Sequence, residues 1–436
     1  MVIRTRLAPC LVIALHSLHA QTMTGVAPVD SARVARAAWA RAATALGDGN
    51  YSIARKEVDY AASAWPTQPA YLWGRAVAAL LTHDTAAVLS SLDAYAALGL
   101  GRDVHSDPRF SPLISQSRFA AVVARLDSNR APIARSHVVA TLPDSTFWPE
   151  GVDYDPRSRR YYIGSVRHRT IAEVVNGKVT RELWPRAQAG IGAVLGVRVD
   201  TLRGVLWATL AGVPQMEGFT PADSSIASIV RVRVADGAIE RRWDLSPSPR
   251  GHALGDVVLG PTGDVFVTDS NDPVLYRIRR GSDTLEAIRH PLFRSPQGMA
   301  APPNASVLYV ADYAHGLLRV DLATNAVTRL DDAPSSTSLG CDGLVWYDGA
   351  IIAVQNGVAP ARIMRFVLDR TATRIERAEL LDRNTRIADE PTIGTIAGGE
   401  FVYVANSQWE KFTESGARVP ARRLTAPVLL GVPLRH

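Results

Sequence analysis

Several short segments place hard oxygen donors at the start of an apolar run: Glu150-Gly151, Asp256 after Gly255, Gln297-Gly298, Asp342-Gly343, and Glu390 before Pro391. Carboxylates and amide oxygens are the donors that calcium and similar divalent cations take. Carboxylates brought together in a confined space repel and hold their protons to higher pH, and a cation relieves that. His252, three residues before Gly255, is a candidate polar or proton-carrying group, with an exposed loop histidine as the alternative. Trp148 and Trp346 flank two of the polar positions and are candidates for an apolar wall against a ring-shaped ligand; core packing accounts for them equally well.

These residues converge only if the elements carrying them form a ring. From Pro149 onward a motif recurs six times, starting at Pro149, Ala193, Leu254, Pro296, Cys341 and Glu390. Each copy has a polar or small start, an apolar strand, a turn, and a second strand ending in small polar residues. Third strands follow at Ser228, Val274, Gly316 and Ala361. Short strands rich in Val, Ile, Tyr and Trp between Gly, Asp, Pro and Ser turns, about four per unit, describe an all-β six-bladed propeller over residues 136–436. Ser136–Thr141 and the final run Pro427–Leu434 are expected to pair in the last blade and close the ring, leaving no open sheet edge. Innermost strands would then aim Glu150, Asp256, Gln297, Asp342 and Glu390 at a common axis.

The pattern resembles the regucalcin and gluconolactonase family, also called the senescence marker protein family, on Glu150-Gly151, Gly255-Asp256, Gln297-Gly298 and Asp342-Gly343. The likeness runs from about Ser136 to the end. It implies a metal held by Glu150, Gln297 and Asp342. Gln297 stands where the family has asparagine, and Gly255 stands where it has a substrate-binding asparagine. The extra methylene of Gln297 moves its oxygen by more than about 1 Å. The resemblance further implies hydrolysis of a cyclic ester, with the cation polarising the carbonyl and Asp342 guiding or deprotonating the attacking water. Asp256, His252, Trp148 and Glu390 are then the expected substrate contacts. The expected cation is calcium, with manganese or zinc as alternatives. The competing reading is a non-catalytic propeller that binds a small ligand or protein partner.

Ahead of the strands, residues 30–126 are alanine-dense with apolar positions recurring at three and four, the helical period. Trp39 and Trp73, Ala42 and Ala76, and Leu46 and Leu80 each stand 34 residues apart. That is the period of tetratricopeptide helix pairs, which present a face to peptide or protein partners. A generic helical hairpin is the alternative. Residues 127–135 read as the linker.

The first 20 residues read as an export signal: Arg4 and Arg6, a short apolar core, and Ala20 before the cleavage point. The protein is thus expected to be secreted or periplasmic. Removing the signal would take Cys10 and leave Cys341 alone, so no internal disulfide is expected. Cys341 reads as a buried small residue, with a catalytic thiol as the weaker alternative. The formal charge of +6 is carried by scattered arginines, with lysine only at positions 56, 178 and 411. No basic stripe marks nucleic-acid binding, and no apolar run is long enough for a membrane span. Walker, dinucleotide-binding, HExxH, CxxC and GxSxG patterns are absent.

Overall fold

The computed structural model describes residues 31–303 and 306–435. The expected signal sequence and Cys10 lie outside the described residues. Among the described residues five α-helices come first: α1 Ser31–Gly47, α2 Tyr51–Ala64, α3 Pro69–Leu81, α4 Thr85–Ala97 and α5 Ser117–Arg130. Their starts are set by side chains that accept the otherwise orphaned first-turn N–H groups. Asn50 accepts from Ile53, and Asp84 accepts from Ala87 at 3.0 Å. Pro69 occupies the first turn of α3, where its missing N–H costs nothing. Alanines 32, 35, 38, 42 and 45 form the buried stripe of α1. Gly74 in α3 is required by packing: a Cβ there would lie 2.5 Å from the ring of Trp39. Among the described residues no helix is long and apolar enough to cross a membrane.

Twenty-four strands follow in six antiparallel four-stranded sheets. Blade one holds β2 Pro149–Asp155, β3 Arg160–Ser165, β4 Ile171–Val175 and β5 Lys178–Glu182. Blade two holds β6 Ala193–Asp200, β7 Val205–Ala211, β8 Ala227–Arg233 and β9 Ile239–Asp244. Blade three holds β10 Leu254–Leu259, β11 Val265–Asp269, β12 Val274–Ile278 and β13 Leu285–Ile288. Blade four holds β14 Pro296–Ala300, β15 Val307–Asp312, β16 Gly316–Asp321 and β17 Val327–Arg329. Blade five holds β18 Cys341–Tyr347, β19 Ala350–Gln355, β20 Arg362–Leu368 and β21 Ile375–Arg383. Blade six runs β22 Gly394–Ala397, β23 Glu400–Val404, β24 Val428–Pro433 and, outermost, β1 His137–Thr141. The expected ring closure is therefore present, with His137 opposite Gly431 and Thr141 opposite Val428.

Blades are joined by apolar layers, with side-chain hydrogen bonds between neighbouring blades, such as Val199 N to Asp153 Oδ2 and Thr268 Oγ1 to Gln297 O, both at 2.7 Å. Met299, Leu308 and Val310 of blade four meet Phe266 and Leu275 of blade three. Val345 and Ile352 of blade five meet Phe401 and Leu430 of blade six. Val402 and Leu429 of blade six meet Val152 and Ile163 of blade one. Each sheet is thus covered on both faces. For that reason β7, β15 and β19 are buried at every position instead of alternating in and out. Cys341 is free and fully buried, and burial pushes its thiol up, as a packing residue requires.

The helical unit packs on the propeller. Leu339 is buried in the same apolar cluster as Leu72, Leu92 and Phe110. Helix α5 runs to Arg130, and Ile133 then bridges to Arg383 beside blade five.

Candidate channel-mouth site

A shared irregularity makes the inner strands point side chains at the axis. In five blades the innermost strand carries one extra residue against its neighbour, between Pro149 and Val152, Val194 and Val197, Leu254 and Val257, Pro296 and Met299, and Cys341 and Leu344. Such a bulge kinks the strand and re-aims a side chain. The first residue inside the bulge is Glu150, Leu195, Gly255, Gln297 and Asp342 in turn. The second is glycine in four of them, because the next blade leaves no room. A Cβ on Gly151 would overlap the carbonyl of Leu195, and one on Gly298 the carbonyl of Asp342. On Gly196 it would lie 2.8 Å from the carbonyl of Gly255, and on Gly343 2.8 Å from that of Thr392.

This register corrects two expectations. Asp256 does not share the position of Glu150 and Asp342; it occupies the place of the glycines. Its carboxylate reaches sideways to the next blade, accepting from Met299 N at 2.9 Å and from its own Val257 N at 2.8 Å. Gly255 holds the axial position of blade three. Glu390 likewise lies outside the register, in an isolated bridge with Asn406, and Thr392 takes the position of Asp342 in blade six: a Cβ on Gly343 would meet Thr392 O and Ile393 Cα as one on Gly298 would meet Asp342 O and Gly343 Cα. The sequence order Gly-Asp, against Glu-Gly and Asp-Gly elsewhere, was the available signal.

Glu150 and Asp342 do come together. Burial, followed by the charge of Asp342, raises the Glu150 carboxyl to about 8. Its Oε2 accepts from Trp409 Nε1 at 2.7 Å and from Ser407 Oγ. Asp342 is raised to about 6, again first by burial. Asn356 Nδ2 donates to its Oδ2 at 2.7 Å and to Pro391 O at 2.8 Å. Tyr313 donates its hydroxyl to Asn356 Oδ1 at 2.7 Å. Glu390, although off register, adds to the charge acting on Glu150 and is itself raised to about 7, chiefly by burial.

The remaining expected contacts are placed differently. Gln297 donates its amide to Ser295 Oγ at 3.0 Å and Ser295 O at 3.3 Å. His252 is neither a free mouth group nor an exposed loop residue. Its Nδ1 lies 2.5 Å from Asp269 Oδ2 and its Nε2 2.9 Å from Ser246 O, so both ring nitrogens are spent on the turn. Trp148 is 1% exposed, stacked on Phe412 at 4.3 Å and edge-on to Trp409 at 4.9 Å. It backs the wall that holds Trp409 against Glu150 rather than presenting a surface. Trp346 sits at the other end of β18 from Asp342, stacked on Tyr309. There it lines a cavity of about 310 Å³ with Asp153, Arg198 and Thr395, at the opposite mouth. Asp269 and Asp312 accept backbone N–H groups at blade turns.

Sequence reasoning missed Tyr313 and Asn356. Both stand directly after the end of a second strand, β15 and β19, and that shared place was the signal. Two residues of the segment Ala405–Trp409, Ser407 and Trp409, hold Glu150.

Among the described residues no group of three or more His, Cys, Asp or Glu is placed to hold a metal. A cation here would rest on Glu150 and Asp342 with the Gln297 amide oxygen. The pair fits such an ion in charge and donor type, because each acid is held above its ordinary range.

No family model matches the chain, and no curated protein does. Solved structures similar to it include regucalcin from Agrobacterium tumefaciens, a calcium-binding protein, at 15% identity and TM-score 0.46 over 68% of this chain and 96% of that one. A luciferin-regenerating enzyme matches at 13% identity and TM-score 0.46, over 70% and 95%. Catalytically inactive virginiamycin B lyase from Staphylococcus aureus, with quinupristin, matches at 17% and TM-score 0.44, over 62% and 80%.

Proposed function

We propose that the mouth carrying Glu150 and Asp342 is a hydrolytic site that opens a lactone or related ester with the help of a divalent cation, calcium or else manganese or zinc. The observation that carries this reading is the pairing of two acids on bulges of different blades, Asp342 buried and Glu150 half-buried, each raised in pKa, with the charge of Asp342 helping to raise Glu150. Glu150, Asp342 and Gln297 would hold the ion, which supplies Lewis-acid polarisation of the ester carbonyl. The chain's own part is positional and protic. Asn356, braced by Tyr313, fixes one oxygen of Asp342. An acid titrating near 6 is poised to take a proton from water close to neutrality. Ser407 and Trp409 fix Glu150 by hydrogen bonds that leave its charge uncompensated.

Calorimetric titration with calcium, manganese and zinc, paired with a lactone and ester screen, tests this. The wild type should bind one ion and turn over at least one ester. Asp342→Asn should lose both. A wild type that binds no cation and hydrolyses nothing removes the proposal. One observation favours ligand binding without turnover: Gly255 leaves the axial position of blade three without a side chain. Cation binding with no hydrolysis across the screen would select that reading.

Residues 1–20 are proposed as an export signal, checked by N-terminal sequencing of the mature protein. The helix pairs are proposed as tetratricopeptide-like hairpins, and their exposed Tyr51, Ile53 and Tyr60 as the place for a protein partner. Any partner caught by pull-down should be lost in Tyr60→Glu.

A further inference from the structure

The site residues on blades four and five share a second feature. The turns that carry Tyr313, Asp342 and Asn356 are held by the helical unit. Arg36 on α1 lies 2.5 Å, Nη1 to Nε2, from His315, which is fully buried two residues beyond Tyr313. Thr67, between α2 and α3, donates its hydroxyl to Asp332 Oδ2 at 2.8 Å. The other oxygen of that buried carboxylate accepts from Ser338 N at 2.9 Å, in the segment leading into Asp342. Past the end of α4, the carbonyls of Leu98 and Gly99 accept from Arg362 Nη1 at 2.9 and 3.1 Å.

Arg362 passes this contact inward. Its Nε donates to Gln355 Oε1 at 2.6 Å. Gln355 in turn donates to Thr337 O at 2.8 Å and Leu339 O at 2.6 Å. Gln355 precedes Asn356 and pairs across the sheet with Cys341, the neighbour of Asp342. Around this chain the backbones are in contact. Gly357 N donates to Gly340 O at 2.9 Å, and a Cβ on Gly340 would lie 2.7 Å from Gly357.

A buried guanidinium is expensive unless its donors are satisfied. Among the described residues Arg362 has no carboxylate partner, and Nη2 has no hydrogen bond. Its charge is offset by carbonyls at the end of α4, where the helix dipole favours a cation. Such an arrangement is tolerable only with the helical unit in place. A generic docking surface would need none of these groups, since Leu339 and Val358 already supply an apolar seam.

We propose that the helical unit is a positioning device for the channel mouth, with Arg362, Thr67 and Arg36 as the residues through which it fixes the turns bearing Asn356, Asp342 and Tyr313. The cation-affinity consequence rests on the proposed role of Glu150 and Asp342; the mechanical coupling does not. The test uses the full chain, with Arg362→Met, Arg362→Lys and Thr67→Val compared with wild type. Hydrogen exchange should speed up at 313–315, 337–342 and 356 in every folded variant, while the blade-one turn 165–168 stays as in wild type. Titration with calcium chloride should show affinity lower by about 10- to 100-fold, the usual effect of losing a residue that orients a ligand. Arg362→Lys covers the case in which Arg362→Met does not fold. It keeps the charge at the α4 carbonyls and loses the fork to Gln355. Unchanged exchange at the three turns in a folded variant overturns the proposal. A wild type that binds no calcium removes the function proposed above, and the exchange pattern still decides the coupling.

Discussion

Glu150 and Asp342 are where a few atoms carry the most consequence. Both acids have folded-state pKa values above their ordinary 4.5 and 3.8, at about 8 and about 6. The native state therefore binds these protons more tightly than the unfolded chain. The stability this contributes is complete below the ordinary values and is lost as pH rises through 6 and then 8. In the cation-free protein, the melting temperature of Asp342→Asn minus that of wild type should grow from about pH 5 to pH 8, because the variant lacks one of the two repelling charges. A difference that shrinks over that range contradicts the assignment. Added calcium should stabilise wild type most at the upper end, where both acids are ionised. Asn356→Ala would remove the amide's hydrogen bonds to the Asp342 carboxylate and the Pro391 carbonyl, and should cost about 1–3 kcal/mol in a denaturant melt. Glu150 and Asp342 were legible in the sequence because each announces itself beside glycine. Asn356 and Tyr313 were not, because they join the site only through the end of the neighbouring strand. His252 was misread for a related reason: its partner Asp269 lies 17 residues away and becomes a neighbour only once β10 pairs with β11.

At the level of the strand, the bulge with its glycine positions the site. The recurring glycine follows from the spacing of blades at the axis. The same strands give an internal control. Gly298→Ala would drive a methyl group into the carbonyl of Asp342, and should cost about 1–3 kcal/mol and weaken cation binding together. Gly255→Ala meets nothing closer than Thr268 Oγ1 at 3.7 Å, and should change stability by less than about 1 kcal/mol, toward stabilisation. Thermal melts of the two variants read this directly, and equal losses would show that the glycines are not there for clearance. The period of the strands and the count of blades were readable from turn residues and apolar runs. The offset of Asp256 and Glu390 was not, because a single residue of register decides which way a side chain faces.

For the whole molecule, β1 and β24 make blade six from both ends of the ring. Leu430→Asp would place a charge in the layer between blades five and six, beside Phe401 and Tyr403. It should unfold the propeller cooperatively at moderate temperature, with far-UV circular dichroism as the readout. The odd apolar tail made this closure legible. The seat of the helices was not, because Arg36, Thr67 and Arg362 are ordinary surface types until a second domain buries them.

The clasp also sets a timetable. Ribosomes deliver the chain from its first residue at roughly 5–20 residues per second. The strand at His137–Thr141 is made well before Val428–Pro433, the one it must zip onto. For some tens of seconds an unfinished circle carries a bare rim that any other extended chain could join. Completion waits for Val428–Pro433, so a message truncated ahead of that strand yields an open sheet prone to clump.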